Sequence, residues 1–194
     1  MTQGKRAQNI RIRRAVVDDA PQIAELVNYY ARLGEMLPRP LLYLYQGIRD
    51  FVVAEEEGQI IGCGALRVMW SDLAEIRSLA VAKSHRRRGI GALIADELIA
   101  EAERLGLTRV FALTYQVRFF ERLGFQEVPK ESLPQKSWTD CLTCPKVTMC
   151  DEVPVMLELT PAAGQRSNGR VPFDEEVIQS LRPDGVLREG IRNT

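Results

Sequence analysis

The chain has 194 residues, of which 45% are apolar, enough to bury one core of ordinary domain size. Lys plus Arg and Asp plus Glu balance at 26 each, so no overall field draws the protein onto nucleic acid or an anionic membrane, and any basic site must be local. The most apolar stretch, Ile60 to Leu66, is broken by Gly62 and Gly64 and falls far short of the roughly 20 residues that span a bilayer. Residues 1–14 are polar and basic, without the apolar run of a secretory signal. With no such signal, the four cysteines read as reduced thiols, and a cytoplasmic location is expected.

Ile10, Ile12 and Ala15-Val16 mark a first strand, and Asp18-Asp19 ahead of Pro21 predicts a helix N-cap with proline in the first turn. The helix should run to about Leu33, with Ile23, Leu26, Val27 and Tyr30 at helical spacing on one buried face. Pro38 and Pro40 interrupt the chain, and Leu41 to Ile48 predicts a shorter second helix behind a proline-rich turn suited to act as a lid. Phe51 to Ala54 and Ile60 to Leu66 flank Glu57-Gly58 and read as a hairpin, and Ser71-Asp72 turns into a third antiparallel strand, Leu73 to Val81. Gly89 to Leu105 is an amphipathic helix with Ile90, Leu93, Ile94 and Leu98 inward and Gly106 as its stop. Arg109 to Thr114 returns as a strand, Val117 to Leu123 is a short helix ended by Gly124, and Glu152 to Leu159 alternates as the last strand. Residues 1–159 are expected to form one domain. The weaker pattern of 160–194, with one short helical candidate at Phe173 to Leu181, reads as a mobile extension.

Chemistry concentrates in Lys83-Ser84-His85-Arg86-Arg87-Arg88-Gly89-Ile90-Gly91-Ala92, a glycine-rich turn between a strand and a helix. Gly89 and Gly91 let the backbone approach an anion, the N–H groups of the first helical turn face it, and the helix dipole adds favourable potential. Arg86, Arg87 and Arg88 add charge-assisted contacts. The segment is neither a Walker A loop nor a dinucleotide loop, because Gly-x-x-x-x-Gly-Lys and Gly-x-Gly-x-x-Gly are both absent.

Arg86-x-x-Gly89-x-Gly91 resembles the Arg/Gln-x-x-Gly-x-Gly/Ala pyrophosphate motif of the GNAT N-acetyltransferases. Ala74 to Val81 resembles that family's fourth strand, and Leu123-Gly124-Phe125 its fourth-helix ending, in the expected order of elements from Ile10 to Leu159. The resemblance implies an α/β (α+β) fold with a central mixed, mostly antiparallel, twisted sheet flanked by helices. It implies acetyl-CoA as cofactor, with Arg86 to Ala92, Ile90 included, at the pyrophosphate and the backbone of Leu79, Ala80 and Val81 along the pantetheine arm. Asn28-Tyr29-Tyr30, Leu37-Pro38-Arg39, Ser71-Asp72-Leu73, Glu75-Ile76-Arg77 and Trp138 to Lys146 are similar to short amino-acid N-acetyltransferases, and those to bacterial N-acetylglutamate synthases.

Acetyl transfer needs a neutral amine, and Glu75 stands where many family members carry a general base. A structural alternative pairs it with Arg77 or Arg67. The family's usual general-acid tyrosine is replaced by Phe120, so either the thiolate leaves unaided or another group such as Tyr115 protonates it. A dianionic acceptor such as L-glutamate needs cationic partners, for which Arg39, Arg77, Arg118 and Lys136 are the candidates, Arg39 matching a substrate-contacting arginine of the synthases. Another small amine or protein amine, and a non-catalytic CoA-binding sensor, are the competing readings. A homodimer is compatible with the sequence. Cys141, Cys144 and Cys150 have C-x2-C-x5-C spacing but no evident fourth ligand, so they read as structural thiols and no metal is expected.

Overall fold

The computed structural model describes residues 10–133 and 149–160. The predicted extension beyond Thr160, Lys136, Cys141 and Cys144 lie outside the described residues. Seven strands form one mixed sheet: β1 (Arg11–Arg14), β2 (Phe51–Glu56), β3 (Gln59–Val68), β4 (Leu73–Val81), β5 (Arg109–Thr114), β6 (Gln126–Glu127) and β7 (Val153–Glu158). Their order is β1-β2-β3-β4-β5-β7-β6, and every neighbouring pair is antiparallel except β4 and β5. Among the described residues four helices complete the fold: α1 (Ala20–Arg32), α2 (Leu41–Gln46), α3 (Ile90–Arg104) and α4 (Val117–Glu121).

The two faces of the sheet are covered by different helices. Ile23, Val27 and Tyr30 of α1 pack with Leu44 of α2 on Val53, Cys63, Ala65 and Ala80. Ile90, Ile94, Leu98 and Ala102 of α3 pack on the opposite face against Val52, Ala54, Leu66, Ala74 and Ile76. Gly62 and Gly64 of β3 lie directly under α3: a Cβ at Gly64 would stand 2.9 Å from Ile94 Cγ2 and 3.1 Å from Leu98 Cδ1. The absence of side chains there lets the helix settle onto the strand at this close distance.

Glu57 and Gly58, at φ 53° and 79°, form the two-residue turn between β2 and β3, a left-handed pair that matches the twist of a hairpin. A second irregularity lies opposite Gly64. Cys63 pairs with Ala80 and Ala65 with Arg77, so Ser78 and Leu79 together face one residue of β3, and Ser78 takes φ 54°. The extra residue makes a β-bulge and reverses the alternation of β4. Past it, Leu79 and Val81 pack on the α3 side, while Ala80 joins the α1 side.

Several expectations are corrected. Leu93 is 47% exposed, because the inward stripe of α3 follows Ile90, Ile94, Leu98 and Ala102, one turn apart, and leaves Leu93 on its flank. Asp19 occupies the N-cap of α1 but makes no side-chain cap bond. Its carboxylate accepts instead from Arg13 Nη1 at 2.6 Å, Arg13 Nη2 at 2.9 Å and the Val16 N–H at 2.8 Å, tying β1 to the start of α1. The second helix stops at Gln46, and Ile48–Asp50 continues as a 3-10 turn. The two-residue β6 had no signal of its own, since its place is fixed by pairing with β7.

The Asp19 ion pair gives a pH-dependent prediction. Hydrogen bonds from Arg13 hold the Asp19 carboxyl below the usual carboxylate range, so its folded pKa lies below its unfolded one. The pair therefore stabilises the fold above the unfolded value of about 3.9, and the contribution is lost as pH falls through the folded value. Asp19→Asn should cost about 1.5–3 kcal/mol at pH 7. Urea titrations of both proteins should show this difference at neutral pH and its disappearance at strongly acidic pH.

Candidate active site

Strands β4 and β5 are paired only from Leu73 and Arg109 to Glu75 and Phe111. Beyond that point β5 continues along β7 as far as Thr114, while β4 bulges at Ser78, and the two diverge. A cleft of about 580 Å³ occupies the gap, bordered by the α1–α2 connection, the first turn of α3, α4 and the start of β7. It has the size and position of a ligand site.

Glu75 and Arg77 lie on its floor, 3% and 9% exposed. They are two residues apart ahead of the bulge, so both side chains take the α1 side of the sheet. Arg77 lies against the ring of Tyr43 at 5.3 Å, and Arg39 against the same ring at 4.8 Å. Arg39 is carried into the cleft by the predicted lid segment, which Asn28 fixes through two bonds of 2.9 Å to the Arg39 backbone N–H and C=O. Arg67 is paired with Asp50 at 3.3 Å, on the exposed side of the hairpin.

At the other end, Leu79, Ala80, Val81, Arg86 and Gly91 line the cleft. Tyr30, at a core position of α1, also serves the cleft: its hydroxyl donates to Val81 C=O at 2.6 Å, and Arg86 rests 4.9 Å over its ring. Arg86 also reaches Glu35 at 3.4 Å. Gly91 adjoins the Phe119 ring, where a Cβ would stand 3.3 Å from Cε2, whereas Gly89, at φ 79°, has open space beyond its Cα. Accessible backbone, the N-terminal turn of a fifteen-residue helix and Arg86 together suit a pyrophosphate, so these residues fit the nucleotide end of a coenzyme.

The remaining expected residues fall elsewhere. Arg88 is turned away from the cleft, bonded to Glu56 at 2.6 Å. The Ile90 side chain is buried in the α3 core, so it offers only its backbone. Arg87, Gly89 and Ala92 flank the turn without lining the cleft. Arg118 is exposed on α4 and lines no part of it, because the inward face of that short helix is taken by Phe119 and Phe120. Tyr115 does line the cleft, and its hydroxyl donates to Asp151 at 2.7 Å. Phe120, 5% exposed, packs edge-on between Phe119 and Phe125. Nothing in the local pattern pointed to the Tyr43 platform or to Gln116, Asp151 and Glu152 at the cleft wall, since only the approach of separate segments assembles them. Cys150 reaches the cleft too, whereas Cys63 is buried beside Ser78 C=O and desolvation pushes its thiol up to about 12, which leaves it inert.

The sheet that opens between β4 and β5 over a glycine-rich helix start defines an acetyltransferase, and the chain belongs to the GNAT acetyltransferase family, whose model matches residues 19–125. It is therefore an acyltransferase, and acetyl-CoA is the donor that the family uses. An uncharacterised N-acetyltransferase of Chlorobaculum tepidum is 43% identical over 148 residues, 76% of this chain and 96% of that protein. The amino-acid acetyltransferase of Mycobacterium tuberculosis is 44% identical over 132 residues, 66% of this chain and 75% of its own length. Among solved structures, a Mycobacterium tuberculosis protein in complex with CoA superposes with a TM-score of 0.68 at 36% identity, covering 77% of this chain and 99% of that one. The N-acetylglutamate synthase of Neisseria gonorrhoeae, complexed with coenzyme A and N-acetyl-glutamate, gives a TM-score of 0.72 at 28% identity, over 80% of this chain and 36% of the longer synthase. Among the described residues, no helix is long and apolar enough to cross a membrane.

Gly91→Glu tests the donor end of the cleft. The new side chain would press on Phe119 and set a carboxylate where a pyrophosphate has to approach. Titration calorimetry with CoA should show a Kd raised about tenfold or more. An unchanged Kd would move the donor away from this turn.

Proposed function

We propose that this enzyme transfers acetyl from acetyl-CoA to the α-amine of L-glutamate. The observation that carries this reading is the buried Glu75–Arg77 pair on the cleft floor, with Arg39 brought to the same tyrosine ring. Two guanidinium groups beside one carboxylate suit an acceptor that has two carboxylates to hold and one amine to deprotonate. The likeness to amino-acid acetyltransferases and to an N-acetylglutamate synthase supports it. Such an enzyme would serve arginine biosynthesis and work in the cytoplasm.

Acetyl-CoA supplies the thioester carbonyl at which the acceptor nitrogen reacts. Arg39 and Arg77 hold the acceptor's carboxylates, and the lid segment that carries Arg39 limits access of water. Glu75 takes the proton from the acceptor's ammonium, directly or through a water molecule, and so exposes its lone pair. As the N–C bond forms and the C–S bond breaks, the acceptor nitrogen gives up its second proton to solvent. Tyr115, whose hydroxyl donates to Asp151, would have to turn from that carboxylate to protonate the departing thiolate, which an ordinary thiol pKa of about 8.5 also allows to leave unaided. The backbone of Leu79 to Val81 and the turn at Arg86 to Gly91 fix the donor.

A second reading rests on Glu35, Asp151 and Glu152, which also line the cleft and would favour a cationic amine instead. A thiol-release assay with acetyl-CoA against a panel of amino acids and polyamines separates the two. Glutamate should turn over best, and a polyamine turning over while glutamate does not would discard the glutamate assignment.

Glu75→Gln should retain CoA binding and lower kcat by roughly 10²-fold or more, with partial recovery at high pH. Wild-type turnover at pH 7 would make Glu75 structural. Arg39→Ala and Arg77→Ala should each raise the KM for glutamate about tenfold, leaving the KM for acetyl-CoA nearly unchanged, and lysine should restore only part because the bidentate fork is lost.

A further inference from the structure

The turn after β4 holds more strain than its glycines relieve. Arg87 and Gly89 both lie in the left-handed region, at φ 62° and 79°, and only the glycine does so without crowding a Cβ against a carbonyl oxygen. His85 and Arg88, which bracket Arg86 and Arg87 in the chain, converge on one carboxylate. Arg88 Nη2 donates to Glu56 Oε1 at 2.6 Å and Nη1 to Oε2 at 3.3 Å, while His85 Nε2 lies 3.0 Å from the same Oε2. His85 is steadied in turn by Ser84, whose Oγ is 2.8 Å from Nδ1. Glu56 sits at the last paired position of β2, opposite Gln59, where the two-residue turn at Glu57-Gly58 fixes its backbone. The bond from Arg88 first, and that with His85 after it, hold its carboxyl below the usual carboxylate range, so the charged grip persists at neutral pH.

We infer that Glu56 is a positioning residue for the donor site: by gripping His85 and Arg88 it holds Arg87 in its left-handed conformation, and so presents the N–H groups of this turn and of the first turn of α3 to the pyrophosphate. Glu56 does not line the cleft and acts only through the turn. The inference concerns the donor half of the site and stands whichever amine the acceptor half takes. It also gives Arg88 a part in the donor site as a tether rather than as a phosphate ligand.

Glu56→Gln keeps the size of the side chain and removes its charge. Calorimetry should show the Kd for CoA raised about tenfold and the KM for acetyl-CoA raised in step, while kcat and the acceptor KM at saturating acetyl-CoA stay within about twofold of wild type. The same substitution in a background carrying Arg87→Gly should cost little CoA affinity, because glycine needs no restraint to keep a positive φ. An unchanged CoA Kd in Glu56→Gln would overturn the inference. So would an equal penalty in both backgrounds, or a loss of kcat together with the melting temperature of the ligand-free protein and no selective change in donor binding.

Discussion

Between Cys63 and Ala65 of β3 there is one residue, Gly64, and across from it on β4 there are two, Ser78 and Leu79. That mismatch governs the rest of the molecule. Ahead of it, Glu75 and Arg77 face the α1 side, and beyond it Leu79 and Val81 turn to α3 while Ala80 takes over the α1 side. The same irregularity lies just past the last paired residues of β4 and β5, so β4 leaves the ladder with its backbone and its ionisable side chains turned toward one opening. A regular strand would have continued the ladder to β5 and closed the cleft. At the bulge Ser78 takes a positive φ, which a residue with a side chain adopts only when its surroundings require it.

Glycine serves two distinct purposes around this opening. Gly62 and Gly64 are buried beneath α3, where any side chain would collide with Ile90, Ile94 or Leu98, and the close seat they provide fixes the height of the helix over the sheet. Gly89 and Gly91 stand at the start of the same helix, where open space and nearness to Phe119 replace tight burial. Packing at the first pair therefore sets where the N–H groups near the second pair point. The proposed anion site is a property of α3 as a whole, not of its sequence motif alone.

The cleft combines charges of both signs within a short distance: Arg39, Arg77 and Arg86 with Glu35, Glu75, Asp151 and Glu152. Aromatic rings keep the cations in place, Tyr43 under Arg39 and Arg77, and Tyr30 under Arg86. Tyr30 adds a hydroxyl bond to Val81, so one residue of α1 is core, support for an arginine and anchor for the end of β4. Such an arrangement suits a zwitterionic substrate better than a neutral one, since the site presents both an acceptor for protons and donors for carboxylates.

Local sequence determined the elements. Alternation and turn chemistry located the β2–β3 hairpin at Glu57-Gly58, and helical spacing located α1 and α3, because each signal depends on residues close together in the chain. The motif from Arg86 to Gly91 likewise marked the start of α3, since its backbone requirements are written in two glycines. Which charged side chains would meet there was not local. Arg88 looks equivalent to Arg86 in sequence, yet the hairpin brings Glu56 beside it and draws it away, whereas Arg86 falls over Tyr30. Arg118 stood with Arg39 among the candidate cations, but Phe119 and Phe120 claim the inward face of α4, whereas Asn28 pins the backbone of Arg39 at the cleft. Asp19 read as a helix cap and became the partner of Arg13, since β1 passes within reach only once the sheet is assembled. Tertiary structure decided these assignments because a side chain's partner is set by which distant segment arrives beside it, and spacing along one chain carries no record of that approach.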